Sequence, residues 1–321
     1  MLKENHLRYT RLAIVVPAYK IDFLSFALDS LANQTCKDFT IYVGDDCSPS
    51  DINSIISKYK KDLDIVYHRF NENLGGKDLV GHWRRCIELT HNEPWIWLFS
   101  DDDIIGERCV ELFYKEVLSE EQYDIYHFDV KIINSTGRVV YNPSKYPDVI
   151  DVLTLYRDTM KDNIRSFVVE NIFSRIIYEN VGGFEPFPMA WGSDMATWLK
   201  MGKGKGIKTI CGDYVYWRKS DKNITPSKEG DIIKRKFAIQ VDFYEWVNNF
   251  FGTNSIRNFN KYVFFRYCVH YSNIVSYTDM KEIFDYAITK KIVSKEQKYF
   301  TLLVLPLLRV CQYIKAKMIR K

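Results

Sequence analysis

The sequence predicts an α/β protein in which a mostly parallel central sheet is flanked by helices and is followed by a helical C-terminal region. Through the first hundred residues, short apolar runs typical of strands alternate with segments of helical periodicity. From about residue 228 onward, apolar and aromatic residues recur at helical spacing without strand signals. We therefore expect residues 1–225 to form one domain and residues 226–321 a helical region.

The alternating segments define the predicted sheet. Leu12 to Pro17 is a continuous apolar run, which suits a strand that is buried on both faces. Further strands are expected over residues 39–43, 65–68 and 95–99, with helices over 23–31, 52–59 and 80–89 between them. Ligands of such sheets bind beyond the carboxyl ends of the strands. Two acidic clusters occupy that position, Asp45-Asp46 and Asp101 to Asp103.

The middle of the chain has a more mixed pattern. Tyr123 to Ile133 and Arg138 to Tyr141 flank a Ser-Thr-Gly turn, which predicts a hairpin. A helix is expected near Leu153 to Met160, a strand over Phe167 to Phe173, and another helix beginning near Asp194.

Composition excludes several classes of protein. The 321 residues are 46% hydrophobic and 27% charged, which is ordinary for a folded protein, and a net charge of +4 does not indicate a nucleic-acid partner. Seven scattered cysteines without a Cys-x-x-Cys pair predict a reducing compartment. Neither a secretory signal nor a run of 18 apolar residues is present. We therefore expect a cytoplasmic protein that does not span a membrane.

Each acidic cluster has a functional and a structural interpretation. Two carboxylates about 4 Å apart repel by roughly 4 kcal/mol at an effective dielectric near 20, and a divalent cation relieves that repulsion. Asp101 to Asp103 could therefore bind Mg²⁺ or Mn²⁺, or form a solvated acidic turn that caps the next helix. Asp46 could accept a hydrogen bond from a nucleotide base, or Asp45-Asp46 could cap the helix after Pro49. These residues alone leave both alternatives open.

An ordered set of motifs resembles family 2 glycosyltransferases between about residues 10 and 220. Each motif is weak alone, but the set occurs in the order and at the approximate spacing of that family. The motifs are Val15-Val16-Pro17-Ala18-Tyr19, Gln34, Gly44-Asp45-Asp46-Cys47-Ser48, Asn73-x-Gly75, Ser100-Asp101-Asp102-Asp103, Gly182-Gly183-Phe184 and Ser193-Asp194.

The resemblance implies a Rossmann-like GT-A fold, a nucleoside-diphosphate-sugar donor, Mg²⁺ or Mn²⁺, and inversion at the anomeric carbon. It also implies a nucleotide-sugar half over about residues 10–105 and an acceptor half over about 106–225. Asp102 is the implied metal ligand, supported by Asp103, and Asp46 would bind the base, which is usually uracil. The implied donor-binding residues are Pro17, Ala18, Tyr19, Asp46, Asn73, Gly75, Asp101 and Arg218, the last of which could instead be a solvated surface charge.

On the acceptor side, the resemblance makes Asp194 the general base, which takes the acceptor proton as the hydroxyl oxygen attacks C1 opposite the diphosphate. The alternative is an ordinary first-turn residue of a helix. Trp191 could stack on an acceptor ring or belong to the core, and Gly183 and Phe184 complete the implied acceptor side. Ser193 stands where many relatives carry Glu. The Gln-x-x-Arg-Trp signature of processive synthases is absent, which favours one sugar per encounter.

The chain end carries an apolar stretch, Tyr299 to Ile314, that is followed by basic residues and is too short to span a membrane. It could lie on the anionic inner face of the cell membrane, where a lipid-linked acceptor would wait. Alternatively, it packs on the catalytic domain or on a second subunit in a homodimer.

The sequence therefore favours an inverting glycosyltransferase that moves one sugar, from a UDP-sugar, to a hydroxyl of a glycan or lipid-linked acceptor in surface polysaccharide synthesis. The alternative is a non-catalytic nucleotide-sugar-binding or scaffold partner of another transferase. A dehydrogenase or a P-loop nucleotidase would need a glycine-rich motif, but Pro17-Ala18-Tyr19-Lys20 follows the first strand. A nucleotidyltransferase would need a glycine-rich, basic activating loop, which is missing.

Overall fold

One sheet organises the first of two units in the structure, a computed structural model that describes residues 12–220, 230–304 and 306. The units are Met1–Ser220 and Asp221–Lys321. The boundary predicted near residue 225 lies outside the described residues.

The first half of the sheet is parallel, as predicted. Strands β1 (Leu12–Ala18), β2 (Phe39–Asp45), β3 (Ile65–Arg69) and β4 (Trp95–Leu98) lie in the order β3-β2-β1-β4. Strands β1 and β2 are buried along their length except at Pro17, because both faces are covered. The connecting helices are α1 (Leu24–Ala32), α2 (Ile52–Ile56) and α3 (Leu79–Ile87).

The second half of the sheet is mixed. It contains β5 (Ile104–Ile105), β6 (Ile125–Ile133), β7 (Val139–Tyr141), β8 (Val149–Ile150), β9 (Asn171–Ser174) and β10 (Ile207–Arg218). Strand β9 is antiparallel to both β4 and β6, whereas β6 and β10 are parallel. The helices of this half are α4 (Cys109–Val117), α5 (Val152–Met160), α6 (Arg175–Asn180) and α7 (Ser193–Met201). The longest strand pairings are all parallel, so the predicted α/β class is confirmed.

Two predictions for this half meet different outcomes. The hairpin is confirmed, since β6 and β7 pair antiparallel across a turn in which Gly137 has φ of +82°. The strand predicted over 167–173 is wrong in its first half, where Val168–Glu170 forms a 3₁₀ turn. Strand pairing begins only at Asn171, opposite His127 of β6.

The main core lies where α1 and α4 pack on the sheet. The predicted apolar stripe of α1 is buried through Leu24, Ala27, Leu28 and Leu31. Fully burying a side chain of the size of leucine stabilises the fold by about 1.5–3 kcal/mol. These contacts anchor α1 on the sheet whose carboxyl edge carries the loops described below.

The second unit is helical, as predicted. It contains α8 (Gly230–Phe251), α9 (Asn254–Tyr271), α10 (Tyr277–Thr289) and a further helix over residues 295–304. No helix of the described part of the chain is long and apolar enough to cross a membrane. Of the predicted apolar tail, residues 305 and 307–314 lie outside the described residues. The apolar face predicted for α8 is buried through Phe237, Val241, Phe243, Tyr244 and Val247.

Candidate functional site

The carboxyl ends of β1, β2 and β4 meet, because the loop after β1 is hydrogen-bonded to both neighbours. The Asp46 N–H donates to the Ala18 carbonyl at 2.9 Å. The Asp101 carboxylate accepts from the N–H groups of Tyr19 at 2.9 Å and Lys20 at 3.0 Å. The Tyr19 ring is exposed and Pro17 is half-buried, whereas Ala18 is buried. The structure therefore brings the predicted nucleotide-pocket residues and the first acidic residue together.

The three consecutive aspartates have separate partners. Besides the Asp101 contacts, Asp102 Oδ1 accepts from the Ser100 hydroxyl at 2.6 Å, and Asp103 Oδ1 accepts from the Arg218 N–H at 2.7 Å. Burial, with the nearby charge of Asp102, raises the pKa of Asp101 to about 6 and that of Asp103 well above its usual range. Asp102 and Asp103 are buried and Asp101 is half-buried, so the triplet is not a solvated turn.

Arg218 is bound to the same loop from β10. Its Nε–H donates to the Asp102 carbonyl at 2.7 Å, and Nη1 donates to the carbonyls of Asn134 at 3.0 Å and Ser135 at 3.2 Å. The residue is only 1% exposed, so the alternative of a solvated surface charge is wrong. Arg218 joins the hairpin turn to the acidic loop.

The described residues by themselves offer a divalent cation only an incomplete set of ligands. Among the described residues, no group of three or more His, Cys, Asp or Glu side chains is arranged to hold a metal ion. Mg²⁺ typically uses one or two carboxylates together with substrate phosphates and water. The Asp102 carboxylate, which accepts a hydrogen bond from the Ser100 hydroxyl, has oxygen ligands of the right chemistry for such a shared site. The donor set therefore fits a metal that is completed by a diphosphate.

The Asp46 carboxylate organises the loop that follows β3. Its Oδ1 accepts from the Leu74 N–H and its Oδ2 from the Gly75 N–H, both at 2.8 Å. A Cβ on Gly75 would lie 2.7 Å from Oδ2, so the motif requires glycine there. Asn73 Oδ1 accepts from the Gly76 N–H at 2.8 Å and closes the turn. The structure thus brings the predicted residues Asp46, Asn73 and Gly75 into one cluster.

Asp194 lies in the first turn of α7, after Gly192 with φ of +89°. Its Oδ1 accepts from the Met195 N–H at 2.8 Å. Burial raises the pKa of Asp194 to about 6 against the lowering effect of the backbone hydrogen bonds. A carboxylate with this pKa is ionised at neutral pH and yet basic enough to take a proton, as a general base must be.

The remaining acceptor-side candidates are placed differently from one another. Phe184 is 0% exposed and packs edge-on against Trp83 and Trp198, with ring centroids 5.3 and 5.6 Å away. Its side chain therefore belongs to the core and presents no surface to an acceptor. Gly183 has φ of +76° in the turn before it, and Trp191 is half-buried beside Gly192.

A buried polar cluster that the sequence motifs did not indicate lies beside Asp194. Glu170 is fully buried, its Oε1 lies 3.8 Å from His127 Nε2 and 3.4 Å from the Tyr146 hydroxyl, and the His127 ring stacks on Tyr146 at 3.9 Å. Burial, with the charge of Asp194 among the further causes, raises the pKa of Glu170 well above its usual range. The available signal was an acidic residue inside the apolar run 167–173.

Arg85 is a further residue that the sequence motifs did not indicate. From α3 it donates a hydrogen bond to Asp46 Oδ1, and its guanidinium carbon lies 3.8 Å from the centre of the Phe70 ring. No sequence pattern pointed to it, because an arginine on a helix is more often solvated.

Comparison with known proteins agrees with this architecture. A sequence model described as glycosyl transferase family 2 matches residues 13–175. An uncharacterized glycosyltransferase of Rickettsia felis is 25% identical over 224 residues, which cover 65% of this chain and 33% of that protein. The poly(ribitol-phosphate) β-N-acetylglucosaminyltransferase TarS of Staphylococcus aureus is 23% identical over 243 residues, covering 73% of this chain and 39% of TarS.

The fold is shared with solved structures. The crystal structure of residues 1–349 of S. aureus TarS in complex with UDP-GlcNAc has a TM-score of 0.58 at 17% identity, over 91% of this chain and 90% of that chain. This likeness shows the GT-A fold. The present chain spans only about a third of the length of the curated relatives described above. Because the family model matches half of the chain, this protein belongs to glycosyl transferase family 2.

Proposed function

We propose that the protein transfers a single sugar, with inversion, from a UDP-sugar to a hydroxyl of a glycan or lipid-linked acceptor in surface polysaccharide assembly. The observation that carries the proposal is Asp194, a half-buried carboxylate in the first turn of α7 whose pKa is raised to about 6 by desolvation. A one-step displacement needs one such base and a stabilised leaving group, and needs no enzyme nucleophile.

In this proposal, the base and ribose of the donor lie at the carboxyl ends of β1 and β2. The exposed Tyr19 ring offers a stacking surface for the base. The cluster of Asp46, Asn73 and Gly75 lies at the same carboxyl edge of the sheet, where the Asp46 N–H donates to the Ala18 carbonyl. The uridine nucleotide is supported by the TarS crystal structure, which contains UDP-GlcNAc.

The diphosphate would lie beside the aspartate triplet. Asp102, supported by Asp103, would hold Mg²⁺ or Mn²⁺, which neutralises charge on the departing diphosphate. Asp101 fixes the Tyr19–Lys20 backbone through two hydrogen bonds, and Arg218 fixes the Asp102 carbonyl. We assign these two residues to shaping the loop that faces the diphosphate.

Asp194 would take the proton from the acceptor hydroxyl while that oxygen forms its bond to C1 of the sugar. The bond from C1 to the diphosphate oxygen breaks at the same time, so the configuration at C1 inverts. Glu170 precedes β9, whose first residues lie beside the carboxyl end of β4. The charge of Asp194 is among the causes that raise the pKa of Glu170. We therefore place Asp194, the proposed general base, near that end of the sheet.

The test is release of nucleoside diphosphate from a panel of UDP- and other nucleotide sugars, with and without Mn²⁺, in the presence of glycan acceptors. Asp194→Asn should abolish turnover and leave UDP binding intact, whereas Asp102→Asn should reduce both. Asp62→Asn, at an exposed position in the turn before β3, is the matched control. Full turnover by Asp194→Asn would reject the assigned base. Donor binding without turnover in the wild type on every acceptor would favour the scaffold alternative.

We also propose that the last described helix contacts an anionic membrane. Tyr299, Phe300 and Leu303 are 70%, 69% and 76% exposed. Residues 299–321 contain five basic and no acidic side chains, a charge that would repel a second copy and attract anionic lipid. Such a contact would hold the protein at the membrane surface, where a lipid-linked acceptor would lie.

Flotation with vesicles that contain phosphatidylglycerol tests this contact. The full chain should float with the vesicles, and a variant with Tyr299, Phe300 and Leu303 all changed to Ser should not. Equal flotation of the two proteins would reject the contact, as would dimerisation that is lost in the triple variant without any vesicle binding.

A further inference from the structure

Arg85 connects four parts of the pocket proposed for the donor base. Besides its hydrogen bond to Asp46 Oδ1, Nη2 donates to the Glu72 carbonyl at 3.0 Å, and Nε donates to His82 Nδ1 at 3.1 Å. The guanidinium also lies over the Phe70 ring, a favourable cation–π arrangement. The side chain is only 17% exposed, so these contacts are made largely away from water.

His82 does not contribute a positive charge that would balance the Asp46 carboxylate. Its Nδ1 accepts from Arg85, which assigns the ring proton to Nε2, so the 3.4 Å approach of Nδ1 to Asp46 Oδ1 is not a hydrogen bond. Burial, together with the charge of Arg85, lowers the pKa of His82 to about 4 despite the nearby Asp46. The ring is therefore neutral at physiological pH, and Arg85 is the cation that balances the Asp46 carboxylate.

The same guanidinium fixes the loop from two sides. Asp46 receives the N–H groups of Leu74 and Gly75, while Arg85 binds both Asp46 and the Glu72 carbonyl. Without Arg85, a carboxylate that is 2% exposed would lose its counter-charge and would draw in water. The backbone of residues 72–75 would then lose its defined position.

We propose that Arg85 is a positioning residue for the donor base: by holding Asp46 and residues 72–75 together, it preforms the pocket that the base enters. This inference rests on the proposed use of a uridine nucleotide. Because the proposed donor placement puts Arg85 beside the base and not beside the reacting bond, its loss should weaken binding of substrate and transition state alike. Donor KM should therefore rise while kcat at saturating donor stays nearly constant.

The expected size follows from the contacts that are lost. Hydrogen bonds to a charged group contribute about 1.5–3 kcal/mol, which corresponds to a roughly 10- to 150-fold weaker affinity. Arg85→Ala should raise the donor KM by about this factor, with kcat changed by less than about threefold. Arg85→Lys keeps the charge but loses the planar fork and the stacking geometry, so its KM should rise by a smaller factor.

Binding of uridine and of UDP, measured by calorimetry, separates this role from general damage. Within each Arg85 variant, binding of uridine and binding of UDP should be weakened by equal factors, because the defect is at the base. The factor should be larger for Arg85→Ala than for Arg85→Lys. Asp102→Asn should weaken only the binding of UDP with Mn²⁺. Arg108→Ala removes an exposed arginine, paired with Glu111 at 3.5 Å, and is the control. Thermal unfolding is recorded for each variant.

The outcomes are distinct. Wild-type affinity for uridine in Arg85→Lys, or a fall in kcat without a rise in KM, would overturn the assignment of Arg85. If Arg85→Ala does not fold, Arg85→Lys decides alone. Wild-type protein that neither binds uridine nucleotides nor turns over any donor would reject the proposed function itself, and this inference with it.

Discussion

Asp194 illustrates how one residue acquires its chemistry from its surroundings. The first turn of a helix favours an anion and lowers the pKa of a carboxyl. Burial acts in the opposite direction and is the larger effect, so the pKa of Asp194 is raised to about 6. The same aspartate on a solvated helix would be a much weaker base.

The first prediction concerns pH. Asp194 must be ionised to accept a proton, so kcat/KM should be constant above its pKa of about 6 and should fall as pH decreases below it, by about tenfold per unit. Initial rates between pH 4.5 and 8 at saturating Mn²⁺ measure this acidic limb, the fall of kcat/KM as pH decreases. UDP affinity also depends on Asp101, whose pKa is likewise about 6, so it is determined in parallel and should have the same pH dependence in Asp194→Asn as in the wild type. An acidic limb near pH 4 in kcat/KM would contradict a desolvated base.

The second prediction concerns Gly75. A Cβ there would lie 2.7 Å from Asp46 Oδ2, an oxygen that is held by hydrogen bonding to the Gly75 N–H. Gly75→Ala should therefore destabilise the fold by about 1–3 kcal/mol and weaken UDP binding. Urea unfolding and calorimetry measure the two effects. Gly204→Ala is the control, because no atom lies within 4 Å of its added Cβ. Unchanged UDP affinity in Gly75→Ala would show that the loop does not serve the donor.

Among the structural elements, β10 shows where periodicity fails. Its register against β6 shifts between Ile210 and Val215, and Gly212 within this irregularity has φ of +112°. The alternation of apolar and polar residues is broken there, so the strand had no clear sequence signal. The irregular strand nevertheless delivers Arg218 to the acidic loop.

The third prediction tests this connection between elements. Arg218→Lys keeps a positive charge but cannot reproduce the hydrogen bonds of Nε and Nη1 to three carbonyls on two loops. The variant should lose about 3 kcal/mol of stability, and its UDP binding should respond less to Mn²⁺. Thermal unfolding with and without UDP and Mn²⁺ measures both effects. Arg108→Lys, on an exposed side chain, should behave as wild type. Full stability of Arg218→Lys would contradict the bridging role.

At the scale of the whole molecule, the fourth prediction couples ligand, metal and stability. A ligand that binds only the folded state stabilises it by about 2.7 kcal/mol at a concentration of 100 times Kd. UDP should therefore raise the unfolding temperature, and Mn²⁺ should increase that rise because Asp102 and the diphosphate share the ion. In Asp102→Asn the UDP effect should become independent of Mn²⁺, and chelation of the metal should reproduce this in the wild type. A metal-independent effect in the wild type would reject the shared site.

The sequence by itself determined the α/β class, the parallel first half of the sheet, the helical second unit and the positions of the acidic clusters at strand ends. These features depend on local periodicity and on order along the chain, which are visible in the residues. Tertiary structure alone decided the partners and the burial of each candidate. Arg85 reaches Asp46 across 39 residues and Arg218 reaches Asp103 across 115, while Phe184 is buried and Glu170 lies under the influence of Asp194. Hydrogen-bond partners, desolvation and pKa arise from contacts between distant segments, and no local pattern encodes them.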